Sequence, residues 1–329
     1  MSASGSRAPN SRGVAVSIAL DAWLAPIRRE YLETFIPDGG GAMRIVVADD
    51  AMFAAVQTAL AAAARQAGLS VIAIDTANTR LHMLHFAFFA IAGALDWDDL
   101  VQARLEALVR EAGYRWPHPG QRSTLVALAE SNAVAPPLLR ATLQRHITST
   151  VWEDAGLAQD FRKAMIALLD ARLAGDKDGL RDGVLAWLRG ELRRLKPVRE
   201  AQIGARIGRN NARAMLMSLC HWLRGCGHRG LVVLLDIRRL SRERREVADG
   251  VVYSPAAVMD CYEVLRQIID DAEHFEGLFV VALADGRLIN DDAPKRSLSQ
   301  YTALKMRVWD DVRPLGQDNP LAPLVLIAS

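Results

Sequence analysis

Short, continuously apolar segments recur along the chain, each bounded by turn residues and by a stretch with helical periodicity. They lie at 43–47, 69–75, 230–237 and 277–285. Apolar strands without polar alternation are buried on both faces, which is typical of parallel sheets covered by helices. The pattern therefore predicts an α/β fold with a mostly parallel sheet flanked by helices.

The strand segments form two groups, separated by a long region with little β signal. Residues 97–222 instead repeat apolar positions with helical periodicity, as in LVQARLEALVREAGY and QDFRKAMIALLDARLAG. We therefore expect two halves of one α/β core, 14–96 and 223–329, divided by a large helical insertion at 97–222. Residues 1–13, MSASGSRAPNSRG, contain almost nothing to bury and are expected to form a disordered tail.

Composition argues against several classes of protein. The longest apolar run, FAFFAIAGAL at 86–95, is about half of the roughly 20 residues that a membrane-spanning helix needs. Three cysteines fit a reducing compartment, and VAVSIAL leads into an amphipathic pattern rather than a cleaved signal. With 40 basic and 38 acidic side chains, the bulk charge gives no strong attraction to nucleic acid. We expect a cytoplasmic protein with no membrane contact.

The segment RIVVADDAMFAAVQTAL, at 44–60, runs from a strand through a tight turn into an alanine-rich helix, where an ATPase would carry its phosphate loop. That loop has the form G-x-x-x-x-G-K-[ST], because glycines let the backbone wrap the phosphates, lysine neutralises them and a hydroxyl binds Mg²⁺. Here Ala48 takes the place of the first glycine. The places of the second glycine, the lysine and the hydroxyl residue are taken by Phe53, Ala54 and Ala55. None of these side chains supplies what it replaces.

Two carboxylates make this turn still less suitable for ATP. A carboxylate about 5 Å from a phosphate charge costs roughly 3 kcal/mol at an effective dielectric near 20, so Asp49 and Asp50 would repel the nucleotide. Asp50 is expected to be the N-cap of the helix, where its charge suits the positive end of the helix dipole. The carboxylate of Asp49 or Asp50 then replaces the phosphate, and Phe53 closes the space. An ordinary strand–turn–helix is the alternative that these residues alone leave open.

A second motif, GLVVLLDIRRL, is an apolar strand that ends in an acid, as in a Walker B motif. Asp236 would hold Mg²⁺ through water there, and the next residue, usually Glu, would activate the attacking water. That next residue is Ile237, which cannot accept a proton, so the hydrolytic base is missing. On its own, the pattern is common and weakly specific.

Together these motifs resemble the ATP-binding proteins of BREX-type phage-defence systems, a P-loop family related to AAA+ ATPases. The resemblance is carried by REYLETFIPDGGGAMRIVVADD, by NNARAMLMSLCHWLRGCGHRGLVVLLDIRRL, and by YTALKMRVWDD with DNPLAPLVLI. It implies a P-loop NTPase-like fold, with Asp236 as the Walker B aspartate and Arg307 as a C-terminal helix arginine that senses phosphate or acts in trans. The similar family members carry intact G-x-x-x-x-G-K-T and Asp-Glu motifs, and this chain departs from both.

The resemblance and the degenerate motifs together predict a pseudo-ATPase. It would have no catalytic residues, no resident cofactor and no metal site, and would act as a scaffold or regulatory subunit beside other proteins of a BREX-like antiviral complex. One alternative is an ATP-binding and ATP-hydrolysing defence protein that uses a non-standard site or a partner's residues. It would need ATP with Mg²⁺, and cations near 48–55 that the local sequence does not show.

A second alternative is a nucleic-acid-binding module that uses a basic stretch at 192–216. The stretch has seven cations and one acid, Glu200. Surfaces that contact the phosphates of DNA or RNA have this composition, but solvated helix faces share it, and no aromatic residues are interleaved with these charges. The candidate nucleic-acid contacts are Arg193, Arg194, Lys196, Arg199, Arg206, Arg209 and Arg213. Another basic cluster, 238–245, is diluted by acids.

Two further segments contain histidines. In CHWLRGCGH, at 220–228, the neighbours Cys220 and His221 point to different sides of a helix and no C-x2-C pair is present, so a helix end is favoured over a zinc site. In RLHMLHFAFFAIAGAL, His82 and His85 are three residues apart and can share a helix face. No third metal ligand can be named there, so we expect this segment to be packed core.

Overall fold

The computed structural model describes residues 17–118, 123–175, 179–290, 295–309 and 319–328; the expected tail at 1–13 lies outside them. The strands are β1 (Ser17–Ala19), β2 (Ala42–Ala48), β3 (Ser70–Asp75), β4 (Leu231–Asp236), β5 (Leu278–Ala284) and β6 (Leu324–Ala328). The helices are α1 (Leu20–Pro26), α2 (Asp50–Gln66), α3 (Leu84–Ala94), α4 (Trp97–Glu111), α5 (Leu125–Ser131), α6 (Pro136–Glu153), α7 (Gln159–Ala174), α8 (Leu180–Leu188), α9 (Ala212–Gly225), α10 (Arg238–Ser241), α11 (Pro255–Asp270) and α12 (Thr302–Val308).

The strands form one sheet in the order β1-β6-β2-β5-β4-β3, and every pairing is parallel. The predicted α/β architecture, a parallel sheet flanked by helices, is confirmed. The strands that carry the two nucleotide-site motifs, β2 and β4, are separated by β5. Their carboxyl ends therefore lie at the same edge of the sheet, one strand apart.

Two strands were not predicted from the sequence. β1 has only three residues and pairs with β6 alone, so it is too short to show a period. β6 alternates between half-buried and buried positions, and it pairs with β1 and β2. The amphipathic pattern that follows β1 forms α1, which continues as a π-helical segment at Ile27–Phe35.

Each face of the sheet has its own apolar cluster. On one face, α1, the π-helical segment and α2 cover residues such as Val46, Val232 and Val281. On the other face, Ile45, Val233 and the remaining alternate strand residues belong to a cluster that continues through the helices between β3 and β4. Because strand residues alternate between the faces, this double burial explains why the strands read as unbroken apolar runs.

The described chain between β3 and β4 is helical and runs from α3 to α9. Its apolar residues share one cluster with the sheet, so the helical region is packed onto the α/β core. The boundaries of an insertion at 97–222 stay a prediction, since α3 already packs against β3 and α9. No helix in the described residues combines the length and apolar character of a membrane span.

A close backbone approach fixes the start of β2. A Cβ atom added at Gly41 would lie 2.0 Å from the carbonyl oxygen of Ala272 and 2.6 Å from that of Phe275. Both carbonyl groups belong to the turn that leads into β5. Only glycine lets the amino ends of β2 and β5 come this close, and these two strands carry the centre of the sheet.

We expect the Gly41→Ala substitution to lower the free energy of unfolding by about 2–3 kcal/mol, because the new methyl group meets backbone that cannot move aside. Urea denaturation would measure the change. Gly93→Ala in α3 is the matched control: its Cβ would meet nothing within 4 Å, so it should be neutral or raise stability by about 0.5–1 kcal/mol. Equal stability of the two variants would contradict the close approach at Gly41.

Candidate functional site

Acidic residues gather at the carboxyl edge of the sheet. Asp75 and Asp236 end β3 and β4 and lie opposite each other in register, while Asp285 directly follows β5. Beyond the end of β2 come Asp49 and Asp50. Open parallel sheets bind ligands at this edge, so we take it as the candidate site.

Only one residue, Asp49, separates β2 from α2. Its side chain accepts a hydrogen bond from the backbone N–H of Met52 at 2.8 Å, and its carbonyl oxygen accepts one from the N–H of Phe53 at 2.9 Å. Asp49 is therefore the N-cap, and the prediction that Asp50 caps the helix is wrong by one residue. The helix begins directly after the extended residue Asp49, and Asp50 becomes its first residue.

The residues present do not fit a nucleotide phosphate held by a phosphate loop. Such a loop needs several residues between strand and helix, with N–H groups that point at the phosphates. Here Phe53, Ala54 and Ala55 lie inside α2, and the N–H of Met52 is already bound to Asp49. Ala54 and Ala55 are exposed and have neither charge nor hydroxyl.

Arg238, the first residue of α10, occupies this edge of the sheet. Its Nη2 lies 2.9 Å from Asp236 Oδ2 and its Nε lies 3.1 Å from Asp236 Oδ1. Its backbone N–H also donates to Asp236 Oδ1 at 3.0 Å, and Nη1 donates to Asp50 Oδ1 at 3.2 Å. One guanidinium therefore joins the end of β4 to the start of α2.

The same guanidinium stacks on an aromatic ring. Its Cζ atom lies 3.4 Å from the centre of the Phe53 ring, and the ring itself is buried. A cation over a ring face is stabilised by about 0.5–2 kcal/mol, depending on how far it is removed from water. The exposed fraction is 29% for the Arg238 side chain and 15% for Asp236, against 74% for Asp50. The partly buried pair Arg238–Asp236 is therefore the stronger contact.

Hydrogen bonding to Asp236 is the main cause that raises the pKa of Arg238 above its ordinary value. Burial opposes this rise as the second-largest cause, and the charges of Asp236 and Asp50 raise the pKa further. The guanidinium stays protonated, and it contacts Asp236 and Asp50, two of the residues that the sequence analysis predicts to be remnants of a nucleotide site. In the sequence, Arg238 is only one member of a basic cluster that is diluted by acids. Its contact with Phe53 could not be predicted, because the two residues are far apart in the chain.

The neighbouring groups at this edge are also bonded within the protein. Ser241 Oγ and the backbone N–H of Arg287 each donate to Asp285 Oδ1 at 3.1 Å. Ile237, in the place of a catalytic glutamate, is buried, and its N–H donates to the Leu283 carbonyl oxygen at 2.9 Å. Within the described ranges, no group of three or more His, Cys, Asp or Glu side chains is arranged to hold a metal ion.

Residues 126–328, more than half of the chain, match the model of a family described as BREX system ATP-binding protein BrxC/D. The chain belongs to this family. The match includes β4, β5 and β6, whereas β2 and α2 lie outside it. With the parallel sheet, it confirms the P-loop NTPase-like fold that the resemblance implied. No curated protein and no solved structure gives a significant match.

Arg307 does not lie at the carboxyl edge of the sheet, where Asp236 is found. Arg307 forms an ion pair with Asp270, the last residue of α11, and its Nη1 donates to the Ala303 carbonyl oxygen at 2.7 Å. Asp270 is at the amino edge of the sheet, since Ala272 just beyond it contacts the start of β2. Arg307 therefore lies at the opposite edge and cannot contact a ligand at Asp236 of its own chain.

The two segments that contain histidines have different surroundings in the fold. Cys220 is buried in α9, where burial raises the pKa of its thiol to about 12, and His221 lies between Asp154 at 2.9 Å and Glu276 at 3.0 Å. In this segment, Phe88 is fully buried and Phe89 packs partly buried against the same core cluster, so the prediction of packed core is confirmed for these two rings. It is wrong for His82, which precedes α3, and for His85 and Phe86, because these rings are only half buried.

The basic residues of the stretch 192–216 lie at the surface. Arg213 forms an ion pair with Asp271 at 2.6 Å. The exposed members are Arg193, Arg194, Lys196, Arg199, Arg206, Arg209 and Arg213. Because they are exposed, these residues remain candidates for contact with nucleic acid.

We expect Arg238→Ala to lower the free energy of unfolding by about 1–3 kcal/mol, since it leaves the carboxylate of Asp236 partly buried without its cation. The double variant Arg238→Ala with Asp236→Asn should recover part of this loss, because the uncompensated charge is gone. Denaturant titration would measure both. Arg244→Ala, at an exposed arginine nearby, should change stability by less than about 0.5 kcal/mol; an equal loss there would contradict the role of Arg238.

A second prediction concerns Glu263 in α11, beside the Arg307 ion pair. Hydrogen bonds from Arg266, and then from Tyr301 and Gln267, lower its pKa from 4.5 to about 2, against the opposing effect of burial. Protonation therefore occurs at lower pH in the folded state than in the unfolded state. The resulting stabilisation is complete above pH 4.5 and is lost as the pH falls to about 2.

Glu263→Gln should consequently be less stable than the parent near neutral pH, and the difference should shrink between pH 4.5 and about 2. Urea midpoints across this range would measure it. Glu153→Gln, at an exposed glutamate that ends α6, is the control and should show little pH-dependent difference. A constant difference at every pH would rule out the ionisation of Glu263 as the cause.

Proposed function

We propose that this BREX defence protein is a pseudo-ATPase: a catalytically inactive member that acts as a scaffold or regulatory subunit of its antiviral complex in the cytoplasm. The observation that carries the proposal is the guanidinium of Arg238. It lies between Asp236 and Asp50 and stacks on Phe53, at the edge where a P-loop protein would hold phosphates and Mg²⁺.

The charge at this edge supports the proposal. A phosphate loop is a positive site that receives an anion, whereas Asp49, Asp50 and Asp236 make this site acidic, and an arginine of the same chain meets the acids. A Mg²⁺ ion at Asp236 would have to displace a guanidinium that makes several hydrogen bonds to that carboxylate. Ile237 would still leave the attacking water without a base.

The backbone supports it as well. With Asp49 alone between β2 and α2, there is no loop to wrap a triphosphate. The turn is already satisfied as an N-cap, so binding ATP there would require the start of α2 to unwind. Membership of a BREX system implies other components of that system as partners, and a folded but inactive P-loop domain is suited to holding such partners in place.

One observation favours the alternative of ATP binding at a non-standard site. Arg238, Arg242 and Arg287 supply at the carboxyl edge the cations that the segment 48–55 lacks. A nucleotide that drew Arg238 away from Asp236 would expose a cation and a carboxylate together. The family description as ATP-binding protein points the same way.

Calorimetric titration of the full chain with ATP and Mg²⁺ separates the two proposals. We expect no saturable heat for the parent, and none for the variant Phe53→Gly, Ala54→Lys, Ala55→Thr, because these three positions lie inside α2 rather than in a loop. Saturable, Mg²⁺-dependent binding that is lost in both Asp236→Ala and Arg238→Ala would establish the alternative. Arg244→Ala serves as the control for a change of charge alone.

Phage challenge of cells tests the scaffold role. Asp236→Asn keeps the shape of the Walker B side chain but removes its charge, so a pseudo-ATPase subunit with this change should still protect cells, while deletion of the chain should abolish protection. Loss of protection with Asp236→Asn, at unchanged protein level and unchanged recovery of the other defence components, would count against the proposal of an inactive scaffold.

A further inference from the structure

A cavity of about 440 Å³ lies between the start of α3 and the segment that joins α8 to α9. Its walls include His85, Phe89, Trp187, Gly190 and Arg206. The volume is in the range of small-molecule sites, which combine apolar and aromatic walls with a few polar groups. The carboxyl edge of the sheet contributes none of these residues.

The cavity opens beside a cluster of rings, defined here as His82, His85, Phe86 and Phe89. The centres of His85 and Phe86 are 4.3 Å apart, those of His85 and Phe89 are 5.6 Å apart, and those of His82 and Phe86 are 5.3 Å apart. All four side chains are half buried, so part of each ring remains accessible. This ring cluster lies at the start of α3 and is partly accessible.

Cations surround the same opening. Arg206 lines the cavity and is exposed at the surface, and the charge of Arg209 contributes to lowering the pKa of His85, after burial and His82, which places Arg209 near that ring. Arg193 and Arg194 follow the wall residue Leu192 directly. Over 189–213 the chain has eight cations and two acids. These charges form a positive surface next to the half-buried rings.

Several hydrogen bonds hold this part of the wall in position. The carboxylate of Asp160 accepts the backbone N–H of Ala205 at 3.1 Å, and the indole of Trp187 donates to the Ala205 carbonyl oxygen at 2.9 Å. Asn211 Oδ1 accepts the N–H of Gly208 at 2.7 Å. Gly190 packs directly against the Phe89 ring, since a Cβ atom at this position would lie 2.4 Å from the ring. These hydrogen bonds hold the backbone on both sides of Arg206 in place.

One polar atom of the wall lacks a partner. Nδ1 of His85 is buried and has no hydrogen-bond partner among the described residues. Burial is the main cause that lowers the pKa of this imidazole, which favours the uncharged ring. Proteins that bind single strands stack bases on aromatic rings and place arginines on the phosphates.

We propose that this cavity takes one base of a single-stranded nucleic acid, stacked on Phe89 with His85 at the edge of the base, since the two rings are inclined at 72°, while Arg206 and Arg209 hold the adjacent phosphates. The wall is complementary to this ligand, because the Phe89 ring can meet the π-face of a base and the guanidinium groups can meet phosphates. The aromatic residues that the basic stretch lacks in sequence are supplied by α3. The site does not depend on whether the carboxyl edge binds ATP.

Fluorescence anisotropy with a labelled oligothymidylate of about 20 nucleotides tests the proposal on the full chain at about 50 mM salt. We expect saturable binding that weakens as salt is raised. Phe89→Leu keeps an apolar side chain but removes the ring, and should weaken binding about tenfold. Arg206→Glu with Arg209→Glu should weaken it more than tenfold and reduce the slope of log affinity against log salt by about 1.4.

Arg28→Glu with Arg29→Glu is the matched control. It makes the same change in net charge on the π-helical segment, which packs on the opposite face of the sheet, and should alter affinity by about twofold or less. Circular dichroism and thermal melting would show that each variant is folded. An oligouridylate of the same length distinguishes RNA from DNA as the ligand, and binding of either strand supports the proposal.

Four results would overturn it. They are absence of binding at low salt, binding of a duplex as tightly as the single strand, binding of thymidine monophosphate as tightly as the oligonucleotide, and an equal loss of affinity in the control variant. The duplex result would show that no base enters the cavity. The control result would assign the binding to general surface charge.

Discussion

The contact between Arg238 and Asp236 is the interaction on which the candidate site depends. A parallel sheet places the carboxyl ends of its strands at one edge, and in this chain acids stand at or just beyond those ends. Such charges are tolerated in a partly buried place only when cations or N–H groups compensate them. Asp49 is compensated as a helix cap, and Arg238 compensates Asp236 and Asp50 together. The start of α2 and the end of β4 are thereby held to each other.

The charge at this edge is the opposite of the charge of a phosphate loop. In a P-loop the backbone N–H groups and a lysine form a positive site that receives an anion. Here the acids form a negative site, and a guanidinium of the same chain enters it and rests on Phe53. In this chain the acids at the carboxyl edge therefore do not require a bound ligand, because an internal cation compensates them.

Much of the fold could be predicted from the sequence. Strands buried on both faces read as unbroken apolar runs, so β2, β3, β4 and β5 lie where the runs are, within one or two residues. β1 and β6 could not be found in this way, since a three-residue strand has no period and β6 alternates at the rim of the sheet. The exact start of α2, one residue after β2 ends, could not be predicted either. Moving the N-cap by one residue does not change the apolar pattern of the helix.

The sequence by itself determined the parallel α/β core, the acids at the strand ends and the loss of the glycine, lysine and hydroxyl groups of a phosphate loop, since these follow from residue type and local spacing. Only the tertiary structure decided which groups meet. It brought Arg238 onto Phe53, separated Arg307 from Asp236, and set the rings of α3 beside the arginines between α8 and α9. The physical reason is that side chains far apart in the chain come together through the packing of strands and helices, which leaves no trace in local periodicity.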